Sequence, residues 1–365
     1  MRKHTIKSYK FCFVSRGPGE TGQARALGKF LAEKGGEILF CLHQEKNLFF
    51  LKDDKEFKVF LTPRPEDLKK IVEKEKPEFL FLFNSKMWDN EFKKVCPFEK
   101  PNFVFCFDSN WLFNSKKYPA YDYVKWADKY FILFPQKIFN LGVKEFGGNF
   151  EIEKDIKEKL IPIGFIPSYL PISKEKKVKT KKELGIKSNE KLILSYFSGF
   201  GAGYRDWALE NFKKAMDLLV KKKKEIRAVY IGPKIEKEKN WLIQLEGVSA
   251  KKYFEILASS DLVFMHQGMV TLAQVISCQI PVICNVSVLK TEFLPKLHFW
   301  EVLPFKKAGV CEMFSKTTKV EKIAKKIEEL LYNKKEIEKM RKKQKEIFER
   351  GEEKFLKELE KICEN

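Results

Sequence analysis

The 365-residue chain holds four histidines, few arginines and no long apolar run. Four histidines scattered in sequence, with no Asp-x-Asp, give no metal site to build on. Eight cysteines contain no Cys-x-x-Cys pair, which excludes a zinc ribbon and a thioredoxin-like centre. Most of them sit in apolar runs such as Phe11-Cys12-Phe13, so they read as reduced, buried small hydrophobes of a cytosolic protein. No stretch approaches the roughly 18 apolar residues of a spanning helix. The N-terminal segment has no apolar core before a cleavage site, so no secretory leader is expected.

What is present is charge and phenylalanine. Lysine and arginine total 71 against 50 acidic residues, a net charge of +21. Nearly all of the cations are lysine. Nucleic-acid readers lean on the forked guanidinium of arginine, so nucleic acid is disfavoured as a partner. The excess is larger in the second half, around Lys174–Lys191 and Lys213–Lys224. A solvated surface accounts for these stretches; the functional alternative is an anionic membrane surface.

Short apolar segments alternate with amphipathic ones. Strands are expected at Lys10–Val14, Glu37–Leu42, Lys58–Leu61, Phe79–Phe83, Phe103–Phe107 and Tyr130–Phe134. Each lacks a polar face, as strands covered on both sides of a parallel sheet do. Helices fit residues 22–34, 65–74 and 120–128. A proline-marked, lysine-rich stretch follows the apolar run Leu160–Phe165, and the alternation then restarts. Strands are expected at Lys191–Tyr196, Arg227–Ile231, Asp261–Met265 and Pro281–Asn285, with helices at 205–222, 250–258 and 269–278. The reading is α/β, with Rossmann-like domains at 1–166 and 183–332, a linker at 167–182, and a helical tail at 333–365 packing back toward the first domain.

Three strand–glycine–helix turns carry the candidate chemistry. The first runs Ser15-Arg-Gly-Pro-Gly19-Glu20-Thr-Gly22-Gln23, with the helix expected from Gly22. Its Gly-x-Gly-x-x-Gly spacing fits a dinucleotide turn. Strand two, however, ends Cys41-Leu-His43-Gln without the acid such a site uses on ribose. The second turn contains Ser198, Gly199, Gly201 and Arg205. It lacks the Lys-Ser/Thr of a P-loop. The third runs Asp261-Leu-Val-Phe-Met-His266-Gln-Gly268-Met269-Val-Thr271-Leu-Ala-Gln274, and Pro281 opens the next strand. Here a helix N-terminus points away from a strand end, with Thr271 in its first turn and Gln274 one turn on, on the same face.

This third segment resembles the donor-binding segment of GT-B glycosyltransferases, in the branch of MurG and the UDP-glycosyltransferases. Gly22-Gln-Ala-Arg25-Ala-Leu, followed by Leu31-Ala-Glu-Lys-Gly35, is similar to that family's opening turn. The resemblance implies two Rossmann-like domains facing a cleft, with the acceptor on the first and a nucleotide-sugar on the second. It puts Ser198, Gly199, Gly201 and Arg205 near the donor diphosphate, and His266, Gly268, Met269 and Thr271 on the phosphates. Gln274 falls where the family has a glutamate on the ribose hydroxyls. Gln23 falls where many members have a histidine base. Another base is then expected: Glu20, Asp108 at the end of its strand, or His43. Gly19, Gly22 and Gln23 would form the acceptor or phosphate loop.

The implied activity is metal-independent, inverting transfer of a sugar from a nucleotide-sugar, in the first instance a UDP-sugar. The acceptor would be a lipid-linked or cell-envelope glycan or a small molecule. The nucleotide-sugar is a co-substrate, and no resident cofactor is expected. The protein would be cytoplasmic, with peripheral attachment to the inner membrane face as an option. An aromatic group (Asn47–Phe50, Met87-Trp88, Trp111–Tyr118) is the candidate lipid or acceptor patch. The alternatives are a non-catalytic GT-B relative, favoured by Gln23 and Gln274, a nucleotide-sugar 2-epimerase, and a nucleic-acid-binding module supported only by charge.

Overall fold

A computed structural model describes residues 9–83, 102–109, 126–146, 154–197, 204–222, 225–233, 239–266, 268–286 and 293–364. The chain divides into two compact units: residues 1–168 with 349–365, and residues 169–348.

The first unit is built from β1 (Lys10–Ser15), α1 (Pro18–Ala32), β2 (Glu37–Leu42), β3 (Lys58–Leu61), α2 (Pro65–Glu75), β4 (Phe79–Phe83), β5 (Phe103–Asp108), β6 (Lys129–Ile132), α3 (Gln136–Phe146), α4 (Lys154–Lys157) and β7 (Leu160–Pro162). Its seven strands are parallel, in the order β3-β2-β1-β4-β5-β6-β7. The unpatterned apolar runs are the central strands, and every residue of β4 is buried. Phenylalanines stack across the strands, as with Phe83 and Phe107 at 4.5 Å and Phe81 and Phe105 at 5.5 Å. Aromatic pairs of this kind add to what burial contributes.

The second unit runs α5 (Lys174–Glu183), β8 (Lys191–Tyr196), α6 (Tyr204–Val220), β9 (Ile226–Ile231), β10 (Leu242–Leu245), α7 (Ala250–Ser259), β11 (Leu262–His266), α8 (Met269–Ser277), β12 (Val282–Val286), α9 (Phe293–Lys307), β13 (Glu312–Ser315), α10 (Val320–Tyr332) and α11 (Lys334–Ile347). Its six strands are also parallel, in the order β10-β9-β8-β11-β12-β13. Each sheet therefore reverses its winding beside its first strand, between β1 and β4 and between β8 and β11. In open α/β sheets, ligands bind off the carboxyl ends of the strands at that reversal.

Several elements differ from the sequence reading. Residues 174–182, read as part of the linker at 167–182, lie in the helix α5, capped by Ser173, whose Oγ accepts from the Lys176 N–H at 3.2 Å. The helix has no apolar stripe, so periodicity could not reveal it. Ion pairs hold it instead: Lys176 to Glu255 at 2.8 Å and Lys181 to Asp261 at 2.7 Å. The strands β10 and β13 were missed because they are half-buried edge strands without a continuous apolar run. Residues 320–364 form three helices, the last two of them in the expected tail. Asn333 breaks the first from the second by accepting from the Lys335 N–H at 3.1 Å. Of these, α10 and α11 belong to the second unit, and only α12 (Gly351–Glu364) belongs to the first. The helix expected at 120–128 lies almost wholly outside the described residues.

The seat of α12 is cut by two glycines. Gly164 has φ +105°, and a Cβ there would stand 2.7 Å from the Glu349 carbonyl. At Gly351 a Cβ would meet the Gly164 carbonyl at 3.0 Å. This close approach lets Phe355 insert edge-on among Phe81, Phe107 and Phe131, at centroid distances of 5.5, 5.3 and 5.1 Å.

Candidate nucleotide and acceptor sites

In the first unit, α1 begins at Pro18, four residues before the expected start. Proline at the first helical position has its φ set for the helix and needs no N–H partner. Gly19, Gly22 and Gln23 are therefore helical residues, not loop residues. Gly17 is the N-cap, and Glu20 occupies the third helical position. Its carboxylate folds back into the space a Gly17 side chain would fill. That is the place from which an acid satisfies the cap of its own helix and complements the dipole. Thr21 Oγ1 donates to the Gly17 carbonyl at 2.8 Å and lies 2.9 Å from Ser15 Oγ, and Asn47 Nδ2 donates to the Arg16 carbonyl at 2.6 Å. The turn is thus held rigidly from both sides.

The other family-like positions of α1 are packed. Gln23 is 2% exposed. A Cβ on Gly22 would approach Ser168 Oγ to 2.6 Å. Arg25 forks onto buried Asp54, with Nη2 at 2.9 Å, and Lys29 reaches the same carboxylate at 2.7 Å. Asp108 is the last residue of β5, 4% exposed, and accepts from the Tyr130 hydroxyl at 3.3 Å. His43 follows β2, half-buried, with its backbone N–H on the Ser15 carbonyl at 3.2 Å. The three base candidates thus share the carboxyl edge of one sheet but stand on three elements: α1, β5 and the end of β2. Of the aromatic patch, residues 47–50 form a 3-10 turn in which Asn47 is fully buried and Phe49 is exposed under Lys52. Met87, Trp88 and Trp111–Tyr118 lie outside the described residues.

In the second unit the reversal point is flanked by the ends of β8 and β11, where Tyr196 pairs with Met265. His266 ends β11 and is 4% exposed. Gly268 is the extended N-cap of α8, with φ −165° and ψ 105°. The N-cap, a glycine, makes no side-chain cap, and the first turn carries no acid. The first N–H groups of any helix have no acceptor within it. Here they belong to Met269, Val270 and Thr271, which are half-buried, while residues 272–277 are buried. The result is a fixed patch of partial positive charge suited to an anion.

Two residues beside this patch escaped the sequence reading. Tyr253 donates to Thr271 Oγ1 at 3.5 Å, and its ring lies 4.5 Å from that of Tyr196. Burial holds the Tyr253 hydroxyl well above its ordinary pKa, so it stays a neutral donor. Only the packing of α7 against β8 brings it there. Gln274 is buried and turned to Tyr169, with Oε1 accepting from the Tyr169 N–H at 3.1 Å and Nε2 donating to the Tyr169 carbonyl at 2.8 Å. Arg205 lies in the first turn of α6. Ser198, Gly199 and Gly201 lie outside the described residues. Among the described residues, no group of three or more His, Cys, Asp or Glu side chains could hold a metal ion. No helix described is long and apolar enough to cross a membrane.

Two Rossmann-like units with reversed-winding parallel sheets and a closing C-terminal helix define the GT-B fold. Solved structures agree over nearly the whole length. UDP-GlcNAc 2-epimerase from Neisseria meningitidis, solved with UDP-GlcNAc, is 12% identical with a TM-score of 0.64, covering 98% of this chain and 100% of that one. Arabidopsis thaliana UGT89C1, solved with quercetin, is 12% identical with a TM-score of 0.65, covering 96% and 98%. MurG from Acinetobacter baumannii is 11% identical with a TM-score of 0.57, covering 97% and 99%. At such identities the likeness is one of fold. No protein-family model matches the sequence, and no curated protein matches it.

Proposed function

We propose that the second unit binds the diphosphate of a nucleotide-sugar at the start of α8, and that the chain transfers the sugar to an acceptor hydroxyl docked on the first unit. What supports this reading is a contrast between two helix starts that lie beside the winding reversals of their sheets, α1 after β1 and α8 after β11. Both helices have a glycine N-cap, but the first turn of α1 carries Glu20, whose carboxylate folds back beside Gly17, whereas the first turn of α8 carries no acid. An incoming diphosphate is repelled at the first and attracted at the second.

In this reading the acceptor oxygen attacks the anomeric carbon as the bond to the β-phosphate oxygen breaks. The electron pair leaves with the nucleoside diphosphate. The N–H groups of Met269, Val270 and Thr271 and the Thr271 hydroxyl meet the charge that builds there, with His266 beside them. Ser198, Gly199, Gly201 and Arg205 would complete the phosphate site. The acceptor proton passes to a carboxylate of the first unit, Glu20 or Asp108, with His43 third. A UDP-sugar is the first donor to try, and lipid-linked, cell-envelope or small-molecule glycans are the acceptors. Attachment to an anionic membrane surface would be read by sedimentation with acidic vesicles.

Calorimetry against UDP, GDP, ADP, CMP and dTDP tests the site. One nucleotide should bind saturably, and Thr271→Ala should weaken it about tenfold or more, the worth of a hydrogen bond to a charged group. A folded protein that binds none of them overturns the reading and favours a non-catalytic relative. UDP-GlcNAc 2-epimerases stand beside transferases at similar TM-scores, so 2-epimerisation is the second reading. Incubation with UDP-GlcNAc alone separates the two: a C2 epimer formed without acceptor marks an epimerase, and acceptor-dependent UDP release marks a transferase.

A further inference from the structure

The use the fold makes of Gln274 is unlike a ligand contact. Its side-chain amide meets both backbone groups of one residue, as a neighbouring strand would. Oε1 takes the Tyr169 N–H and Nε2 gives to the Tyr169 carbonyl. The second Nε2 hydrogen goes to Ser277 Oγ at 3.1 Å, and that hydroxyl in turn donates to the Gln274 carbonyl at 2.7 Å. Both amide hydrogens are spent, and one oxygen lone pair is used, in a side chain 4% exposed. The Tyr169 ring adds a stack on Phe254 at 5.1 Å and 15°.

Tyr169 is the residue at which the chain enters the second unit, and Ser168 is the last of the first unit's opening segment. Ser168 is itself held close, with its Oγ against Gly22 of α1. Tyr169 is thus held within the second unit by α8, and Ser168 lies against α1 within the first. In the second unit the group that holds it is Gln274, on the same helix whose first turn carries no acid.

We infer that Gln274 is a positioning residue that fastens the domain junction at Tyr169 to α8, and that it is not the group that holds the nucleotide. Glutamine is required because only an amide presents a donor and an acceptor side by side. A carboxylate there would still accept from the Tyr169 N–H but would set a second oxygen against the Tyr169 carbonyl. Leucine would fill the space but remove the hydrogen bonds to both backbone groups. The nucleotide half of the inference rests on the proposed donor site, whereas the junction half stands without it.

Hydrogen exchange at the Tyr169 amide reads the grip directly. In the wild-type protein this amide should exchange slowly. Gln274→Leu should speed it about tenfold or more while amides of β8 and β11 keep their protection. Gln274→Glu, which retains the acceptor, should fall between. An unprotected Tyr169 amide in the wild type, or equal protection in all three proteins, overturns the junction role. If Gln274→Leu fails to fold, the comparison of Gln274→Glu with wild type decides. Calorimetry with UDP supplies the second arm. Gln274→Glu should bind UDP no more tightly than wild type, and UDP should leave the Tyr169 amide protected. Tighter binding by the carboxylate variant, or deprotection of Tyr169 on adding UDP, would mean that Gln274 turns to the nucleotide and would sink the inference. Absence of any UDP binding removes the donor site but leaves the exchange result to decide the junction.

Discussion

At the scale of single residues, the same carboxylate can serve as a cap or as a base, and substitution separates the two. Glutamine at the third helical position can serve a helix cap as glutamate does, but it takes no proton. Glu20→Gln should therefore leave the melting temperature nearly unchanged, and a fall in kcat of about 10²–10⁴ would identify it as the base. Asp108→Asn keeps a partner for Tyr130 and is read against the same range. If both variants retain full turnover, neither carboxylate accepts the proton. Glu352 gives a pH signature of a different kind. It is 3% exposed, and burial raises its pKa above the ordinary 4.5 despite Arg350 nearby. A raised carboxyl pKa means that the folded state holds a proton the unfolded state has lost. Stability from this group then falls as pH climbs from about the ordinary value through the raised one. Glu352→Gln should flatten that part of the stability–pH curve and be at least as stable as wild type at neutral pH.

At the scale of elements, the first unit is completed by a helix from the far end of the chain. Phe355→Ala removes an aromatic side chain that is fully buried and in contact with rings from β4, β5 and β6. A loss of about 3–5 kcal/mol is expected in denaturant titration, as for other buried phenylalanines. Gly164→Ala should destabilise as well, because its backbone lies in the left-handed region and the new Cβ would strike the Glu349 carbonyl. The helix α5 is expected to be the salt-sensitive element. It leans on Lys176–Glu255 and Lys181–Asp261, which ionic strength screens, and not on an apolar face.

At the scale of the whole molecule, a net charge of +21 repels itself. Most of the described ion pairs join partly exposed lysines to glutamates or aspartates, and such pairs contribute little each. Raising salt from about 20 mM to about 0.5 M shortens the Debye length severalfold, so relief of repulsion should outweigh the weakened pairs and the melting temperature should rise. A fall would mean that the ion pairs dominate. Cutting the chain after Phe348 should have a sharper effect. It strips α12 from the first unit, uncovers Phe81, Phe107 and Phe131, and should leave a protein prone to association.

The sequence by itself determined the two parallel sheets, because strands buried on both faces must be written as unbroken apolar runs, and the runs at Glu37–Leu42, Phe79–Phe83 and Lys191–Tyr196 have the observed bounds. It also marked where β11 ends at His266 and α8 starts at Met269, since an apolar run closed by a glycine is what such a strand-to-helix turn requires. Three things were decided only by tertiary structure. A lysine-rich helix without an apolar stripe forms at 174–183 because carboxylates of α7 and the start of β11 wait beside it. Glu20 folds over Gly17 because Pro18 starts the helix early. Gln274 faces Tyr169 because two segments 105 residues apart in sequence meet in the fold. Local patterns report how a segment is buried, but a polar side chain's partner depends on which distant backbone arrives beside it.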